Sequence, residues 1–418
     1  MNVLMLSQWF HPEPGALRGL PLARVLQENG DQVRVLTGFP NYPEGKVYPG
    51  YHQRPHTLEM IQGVEVHRVP LYPSHDASGA RRALSYFSFA LSSSVCGVPL
   101  ARWADVVYLI HPPPAALGPV AFRRVWRRPL VLNIPDLWPD SVAWSGMVDR
   151  GWKRAIIAAL DHWCHTVYRH AAAITVLSPG FRRLLVERGV PADKVHVIYN
   201  WTEEDLYRPL VRDPQLAAEL GLDPGNFHVM YAGNLGALQG LETLLHAASR
   251  LQHLPELRLV LIGTGQKETS LRQQAETMGL RNVIFLPRRP ATAMAAVQAL
   301  SDVLVVHLRD LPMFAATIPS KTQVALASGK PILMAVRGDS ADLVQAAHAG
   351  LTCPPEDAPA LAAAMERLYR TPQAEREAMG RSGRDFYLNT MSLALGAAAT
   401  RRVLLSACEG DPPHGSKR

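Results

Sequence analysis

A chain of 418 residues is too long for one ordinary hydrophobic core and suits two domains of about 200 residues each. Its 47% hydrophobic and 19% charged residues describe a folded globular protein, and its four scattered cysteines, with no Cys-x-x-Cys pair, argue against a disulfide framework or a zinc site. A formal net charge of +7 calls for anionic company, whether nucleotides, phospholipid headgroups or nucleic acid, without choosing among them.

The chain enters a strand at once, over residues 3–6, with no charged leader or small-residue cleavage site ahead of it, so a reducing cytosol is the expected compartment. Ser7 to Arg18 then leads into a helix that ends at Asn29-Gly30, before a second strand at 32–37. This βαβ opening lacks Gly-x-Gly-x-x-Gly, which weakens a dinucleotide-dependent oxidoreductase reading. Gly15 allows a tight turn, and Arg18 is expected in the first helical turn, facing the ligand crevice; a solvated helix arginine is the plainer alternative. Residues 37–51 carry Phe39, Tyr42, Tyr48 and Tyr51 in a loop too long and too aromatic for a connector, suited to sugar or lipid contact or else packed on itself.

The uncharged run 83–101 approaches membrane-spanning length but holds too many serines to span. Leu84, Phe87, Leu91, Val95 and Val98 recur every three or four residues, which marks an amphipathic helix, either part of the core or a membrane-docking surface. Arg81, Arg82 and Arg102 flank it, and Arg123, Arg124, Arg127 and Arg128 crowd one further predicted helix, a combination that an anionic membrane attracts. Strands at 64–69, 105–110, 130–134, 173–177 and 195–199 complete a doubly wound parallel sheet. Pro135-Asp136-Leu137-Trp138-Pro139-Asp140-Ser141 follows one of them directly, at the sheet's ligand-binding edge, where Asp136 is either a functional carboxylate or a turn former.

A second alternating series has strands at 228–232, 258–262, 283–286, 303–307, 331–336 and 351–353. Between the first strand and its helix lies Tyr231-Ala-Gly-Asn-Leu-Gly-Ala-Leu-Gln-Gly, a turn that a ligand could approach closely, with Gly233, Asn234 and Gln239 in it. Lys267 follows Gly263-Thr-Gly265, and Arg288 follows 283–286. Pro319-Ser320-Lys321-Thr322 opens an Ala-rich helix that Gly329 stops, and such a helix start offers unpaired N–H groups, hydroxyls and an ammonium to a phosphate. A Ser N-cap on an ordinary helix is the alternative. The tail 374–407 is helical in composition.

Residues 136–141 and 309–336 resemble motifs of the retaining glycosyltransferases of the family 4 type, and the resemblance runs from the first βα unit to about residue 390. It implies an α/β, GT-B architecture: two Rossmann-like doubly wound domains facing an interdomain cleft, with 1–205 binding acceptor, 206–385 binding a nucleotide sugar, and 386–418 returning a helix to the first domain. It also implies retaining, metal-independent hexosyl or N-acetylhexosaminyl transfer, with no cofactor beyond a nucleoside-diphosphate sugar, UDP-linked, as substrate. The implied acceptor is a lipid-linked saccharide of capsule or other surface-polysaccharide synthesis, at the cytoplasmic face of the inner membrane, with an anionic membrane surface as partner and no nucleic acid.

By the same resemblance Asp136 faces the reacting sugar, Lys321 with Ser320 and Thr322 takes the diphosphate, and Arg288 lies near the base. Two departures stand out. Asn234 and Gln239 occupy positions where many members hold Arg and Lys, and the two family glutamates, eight positions apart, fall on Ala316 and Val324. Gln323 or backbone groups are then left to hold the ribose. A nucleotide-sugar epimerase of similar architecture and a catalytically silent membrane scaffold are the rival readings.

Overall fold

The computed structural model describes residues 1–14, 18–75, 78–110, 113–140 and 153–410. The chain forms two compact units, Met1–Tyr199 together with the chain from Leu393 onward, and Asn200–Ser392. The divisions fall somewhat to either side of the expected 205 and 385. Residues just after 199 attach to the second unit, where Thr202 N donates to Tyr387 Oη (3.0 Å) and Arg384 Nη1 to Tyr207 O (3.3 Å).

The first unit runs β1 (Asn2–Ser7), α1 (Leu20–Glu28), β2 (Gln32–Gly38), β3 (Thr57–Ile61), β4 (Val64–Val69), α2 (Gly79–Cys96), α3 (Val98–Trp103), β5 (Val106–Ile110), α4 (Leu117–Trp126), β6 (Leu130–Ile134), α5 (Lys153–His170), β7 (Ala173–Val176), α6 (Pro179–Glu187) and β8 (Val195–Val197). Its eight strands are ordered β3-β4-β2-β1-β5-β6-β7-β8, parallel except for β3. The inner strands β5 and β6 are buried at every position, as continuous apolar runs in a sheet covered on both faces should be.

The sequence reading overlooked β3. It pairs antiparallel with β4 through a two-residue turn, Gln62-Gly63, whose φ values of 47° and 83° are those a tight hairpin needs. The run 83–101 is also not one helix. Gly97 separates α2 from α3, and Pro99 in the first turn of α3 has no N–H to continue the ladder; a Cβ on Gly97 would meet Ser93 O at 2.4 Å and Leu36 Cδ2 at 2.9 Å. Nor do all four arginines share a helix: α4 ends at Trp126, and Arg127 caps it in the left-handed conformation (φ 52°), so Arg127 and Arg128 lie beyond it.

The second unit runs α7 (Pro214–Glu219), β9 (Phe227–Ala232), α8 (Glu242–Arg250), β10 (Leu257–Ile262), α9 (Glu268–Thr277), β11 (Val283–Leu286), α10 (Ala291–Ala299), β12 (Val303–His307), α11 (Ser320–Ala327), β13 (Ile332–Ala335), α12 (Asp339–Ala346), β14 (Gly350–Thr352), α13 (Ala358–Arg370) and α14 (Gln373–Thr390). Its sheet is wholly parallel, ordered β11-β10-β9-β12-β13-β14. In both sheets the chain winds outward in two directions, from β1/β5 in the first and from β9/β12 in the second. Such switch points open a crevice at the strands' carboxyl ends.

A last helix, α15 (Leu393–Glu409), belongs to the first unit. Arg401 Nε reaches Asp31 Oδ2 (2.7 Å), whose other oxygen takes the Met1 ammonium (3.1 Å), and the Asp31 side chain is fully buried. Asp31→Ala would leave two cations facing an empty site. It should cost about 3 kcal/mol in urea denaturation, and an unchanged midpoint would show that α15 is held by apolar packing alone.

Candidate active site

In the second unit the site grows from the switch point. β9 ends at Ala232, and Gly233 follows with φ 147°. A Cβ at Gly233 would meet Lys321 Cε at 2.4 Å, so the missing side chain is what lets Lys321 lie across this turn. Lys321 sits in the first turn of α11, behind Pro319 at the N-cap, so its ammonium stands at the positive end of a helix. Lys321 Nζ donates to Tyr231 Oη (2.9 Å) and lies 4.5 Å from that ring's centroid, while Tyr231 Oη donates to Asn234 O (2.8 Å). The residue keeps some solvent contact but its charged end is enclosed, and desolvation with no offsetting carboxylate among the described residues pushes its pKa down to about 8. A buried cation at an open helix end, beside a glycine turn, is chemistry for a phosphorylated ligand.

The other expected donor contacts divide. Ser320 is exposed at the open end of α11, Thr322 is buried with its N–H bonded to Pro319 O (2.8 Å), and Arg288 is exposed after β11. Asn234 is exposed on the glycine turn, and Gln239 closes the short 3₁₀ segment Ala237–Gln239. Lys267 is committed elsewhere, in an ion-pair chain with Glu242 (3.4 Å), which also meets Arg309 (3.6 Å), itself paired with Glu356 (3.0 Å). Gln323 is buried, and with its amide turned to donate it reaches Pro319 O (2.8 Å) and Ser320 O (3.1 Å), so it braces its own helix instead of facing a ribose.

Two features here escaped the sequence reading. Gly263 and Gly265 serve packing: a Cβ on Gly263 would meet Gly233 O at 1.8 Å and one on Gly265 would meet Leu235 O at 2.4 Å, so the turns after β9 and β10 touch backbone to backbone. His307 ends β12 buried, its Nδ1 donating to Gln239 O (2.7 Å) and its Nε2 accepting from Glu356 N (3.3 Å), which fixes the glycine turn from the side. A polar residue closing an apolar strand was the available signal.

In the first unit, a small pocket of about 60 Å³ opens at the carboxyl edge of the sheet, lined by Trp9, Tyr86, Pro113, Leu132, Ile134, Pro135, Asp136, Trp138 and Tyr168. Trp9 and Tyr86 (6.3 Å between centroids) and Tyr86 and Trp138 (5.6 Å) meet edge to face. Among the described residues Asp136 is the pocket's one carboxylate. It is open to solvent on one side yet crowded by apolar and aromatic groups, and this desolvation raises its pKa. Asp140, four residues further along the same motif, pairs instead with Arg188. Aromatic faces beside a carboxylate match the apolar faces and hydroxyls of a pyranose.

The aromatic loop after β2 is pinned. Buried Glu13 accepts from Phe10 N (2.9 Å), Asn41 N (2.8 Å) and Tyr42 N (2.8 Å), and Tyr42 packs on Trp9 with centroids 5.3 Å apart. Fully buried Arg68 donates to Gly38 O (3.0 Å) and His11 O (2.7 Å) and pairs with Glu59. Arg18 is a correction: it precedes α1 instead of lying in its first turn, and it is buried with Nη2 donating to Ile198 O (2.6 Å). Gly15 and Ser141 lie outside the described residues.

Residues 18–201 match the family model described as Glycosyl transferase 4-like domain, and residues 213–386 match Glycosyl transferases group 1. A protein of Escherichia coli K12 named as a colanic acid biosynthesis glycosyl transferase, WcaI, is 28% identical over 79% of this chain and 82% of its own. Among solved structures, sucrose-phosphate synthase of Thermosynechococcus elongatus superposes with a TM-score of 0.71 at 18% identity, covering 97% of this chain and 99% of that one. HepE of Anabaena, in complex with UDP and glucose, superposes with 0.68 at 19% identity, covering 97% and 99%. The two matched domains lie on the two doubly wound units, each with its ligand crevice at a switch point, and the chain therefore belongs to the family 4 type glycosyltransferases of GT-B fold.

Proposed function

We propose that the protein transfers a hexosyl or N-acetylhexosaminyl group, with retention at the anomeric carbon, from a nucleoside-diphosphate sugar to a lipid-linked saccharide in surface-polysaccharide synthesis. The observation that carries this reading is the enclosed Lys321 ammonium at the start of α11, lying across Gly233. Negative charge grows on the diphosphate as the glycosidic bond breaks, and a cation already fixed at that place stabilises it without reorganising. This needs neither a metal nor a further cofactor. UDP is the favoured nucleotide, supported by the UDP complex of HepE. In the first unit the aromatic pocket holds saccharide, with Asp136 binding hydroxyls beside the reacting centre. The acceptor's lipid places the reaction at the cytoplasmic face of the inner membrane.

Thermal denaturation with UDP, GDP and ADP tests the donor half. Ligand at a hundred times its Kd should add about 2.7 kcal/mol of stability, and no shift with any nucleotide or nucleotide sugar at millimolar concentration would overturn the reading. Mass spectrometry with the stabilising nucleotide sugar then separates transfer, which requires acceptor, from epimerisation, which yields an isomeric nucleotide sugar without one.

A further inference from the structure

Helix α2 is amphipathic in the sense opposite to a core helix. Its inward face carries Ser85, Phe89, Ala90 and Ser93, while Leu84, Phe87, Leu91 and Val95 point outward, 50%, 61%, 62% and 65% exposed. The orientation is locked by polar contacts from outside the helix: Gln8 Nε2 donates to Ser85 Oγ (3.2 Å) and Tyr72 N to Ser88 Oγ (2.8 Å). α2 therefore cannot roll its apolar stripe inward. α4 lies against it, close enough at Gly118 that a Cβ would meet Ser94 Cα at 2.9 Å, and it adds exposed Leu117 (45%) and Val125 (66%). Six large apolar side chains on two adjoining helices exceed the scattered hydrophobics of an ordinary surface and mark an interaction face.

Charge says what meets this face. Residues 79–104 and 113–135 contain no Asp or Glu, and Arg81, Arg102, Arg124 and Arg127 are exposed at its margins. Among the described residues no helix is long and apolar enough to cross a membrane. We infer that the outward face of α2 and α4 seats the protein on an anionic lipid bilayer, with Phe87, Leu91 and Val95 entering the interfacial region and the arginines meeting headgroup phosphates. The inference rests on the lipid-linked acceptor proposed above and assigns that acceptor's membrane to one surface of the first unit.

Sedimentation of the full chain with phosphatidylglycerol-containing and pure phosphatidylcholine vesicles tests it. The wild type should pellet with the anionic vesicles, and high salt should release only part of it, because apolar insertion is not screened. Phe87→Ser and Leu91→Ser should each lower the partition coefficient about tenfold. Arg124→Glu with Arg127→Glu should lower it further on anionic vesicles and leave the weak binding to phosphatidylcholine unchanged. All these positions are exposed, so melting temperatures should match the wild type. Transfer to a water-soluble acceptor analogue should persist in every variant while transfer to vesicle-borne acceptor falls. Wild type that stays in the supernatant, serine variants that pellet as well as wild type, or binding only to native membranes that still hold their proteins would each overturn the inference, the last in favour of a protein partner. A nucleotide-induced thermal shift without vesicle binding rejects the docking face alone, and vesicle binding without a nucleotide shift rejects the transferase reading alone.

Discussion

Lys321→Met should raise the melting temperature of the ligand-free protein and abolish its work. Burial pushes this lysine from its ordinary 10.5 down to about 8, a displacement worth roughly 3 kcal/mol against folding with the group charged. Because the folded value lies below the unfolded one, the unfolded chain holds more protons between about pH 8 and 10.5. Wild-type stability should therefore rise with pH across that window, and the methionine variant should lack the rise and start from a higher value. Activity should move the other way, with transfer falling about 100- to 1,000-fold, as when one preorganised group facing a developing anion is removed. Wild-type affinity for a nucleoside diphosphate should weaken above pH 8, since the anion binds the protonated lysine. Lys330 is the contrast: its pKa is also pushed down to about 8, but its Nζ donates to Ala299 O and Ser301 O, both at 2.7 Å. Lys330→Met should destabilise, because Ala299 O loses its donor and Ser301 O keeps only that from Arg212 Nη2 (3.1 Å). If Lys321→Met binds UDP or its sugars as tightly as wild type, Lys321 is a structural residue and the donor site lies elsewhere.

Asp136→Asn should lower turnover by about 100-fold or more while leaving folding and nucleotide binding intact. Its carboxylate sits among aromatic rings with a raised pKa, so the folded protein holds its proton to higher pH than the unfolded chain does. That makes the ionised residue a cost to stability, felt as pH rises from the unfolded value through the folded one, and the asparagine variant should be at least as stable at neutral pH. The acid limb of the rate profile should sit above the ordinary carboxylate range in wild type and disappear in the variant. Unchanged turnover, with nucleotide affinity as the control, would return Asp136 to a turn-forming role.

Both residues are ionisable groups that the apo fold carries at a loss, a consequence of burial that the sequence does not announce; they stood out beforehand because 136–141 and 309–336 resemble family motifs and Lys321 opens a helix. The strands at 105–110, 130–134 and 303–307 were legible, since a parallel strand buried on both faces is a nearly continuous apolar run. β3 was not, because its alternating Thr-Leu-Glu-Met-Ile lies at a sheet edge with Leu58 and Met60 turned to solvent. The positions of Arg18, Glu13 and Arg68 are set by partners up to 180 residues away, and no local pattern announces such contacts. Tyr231 read as the lead-in to a glycine turn, whereas its hydroxyl is the one that orients Lys321.

Tyr86 and Phe87 are neighbours in α2, one in the wall of the aromatic pocket and the other in the outward stripe. On a seated protein, the two environments are separated by the width of a single helix, about 10–12 Å with its side chains. The acceptor proposed above, a lipid carrying one or two pyranoses, would span that gap. α2 then acts as a ruler: the pocket is within reach of a saccharide whose growing end is still close to its lipid, and a long glycan would carry its terminus past it. If the proposed lipid-linked acceptor and bilayer seat hold, the thickness of one helix assigns the enzyme to the early additions of chain assembly, before the product outgrows the membrane surface on which it is built.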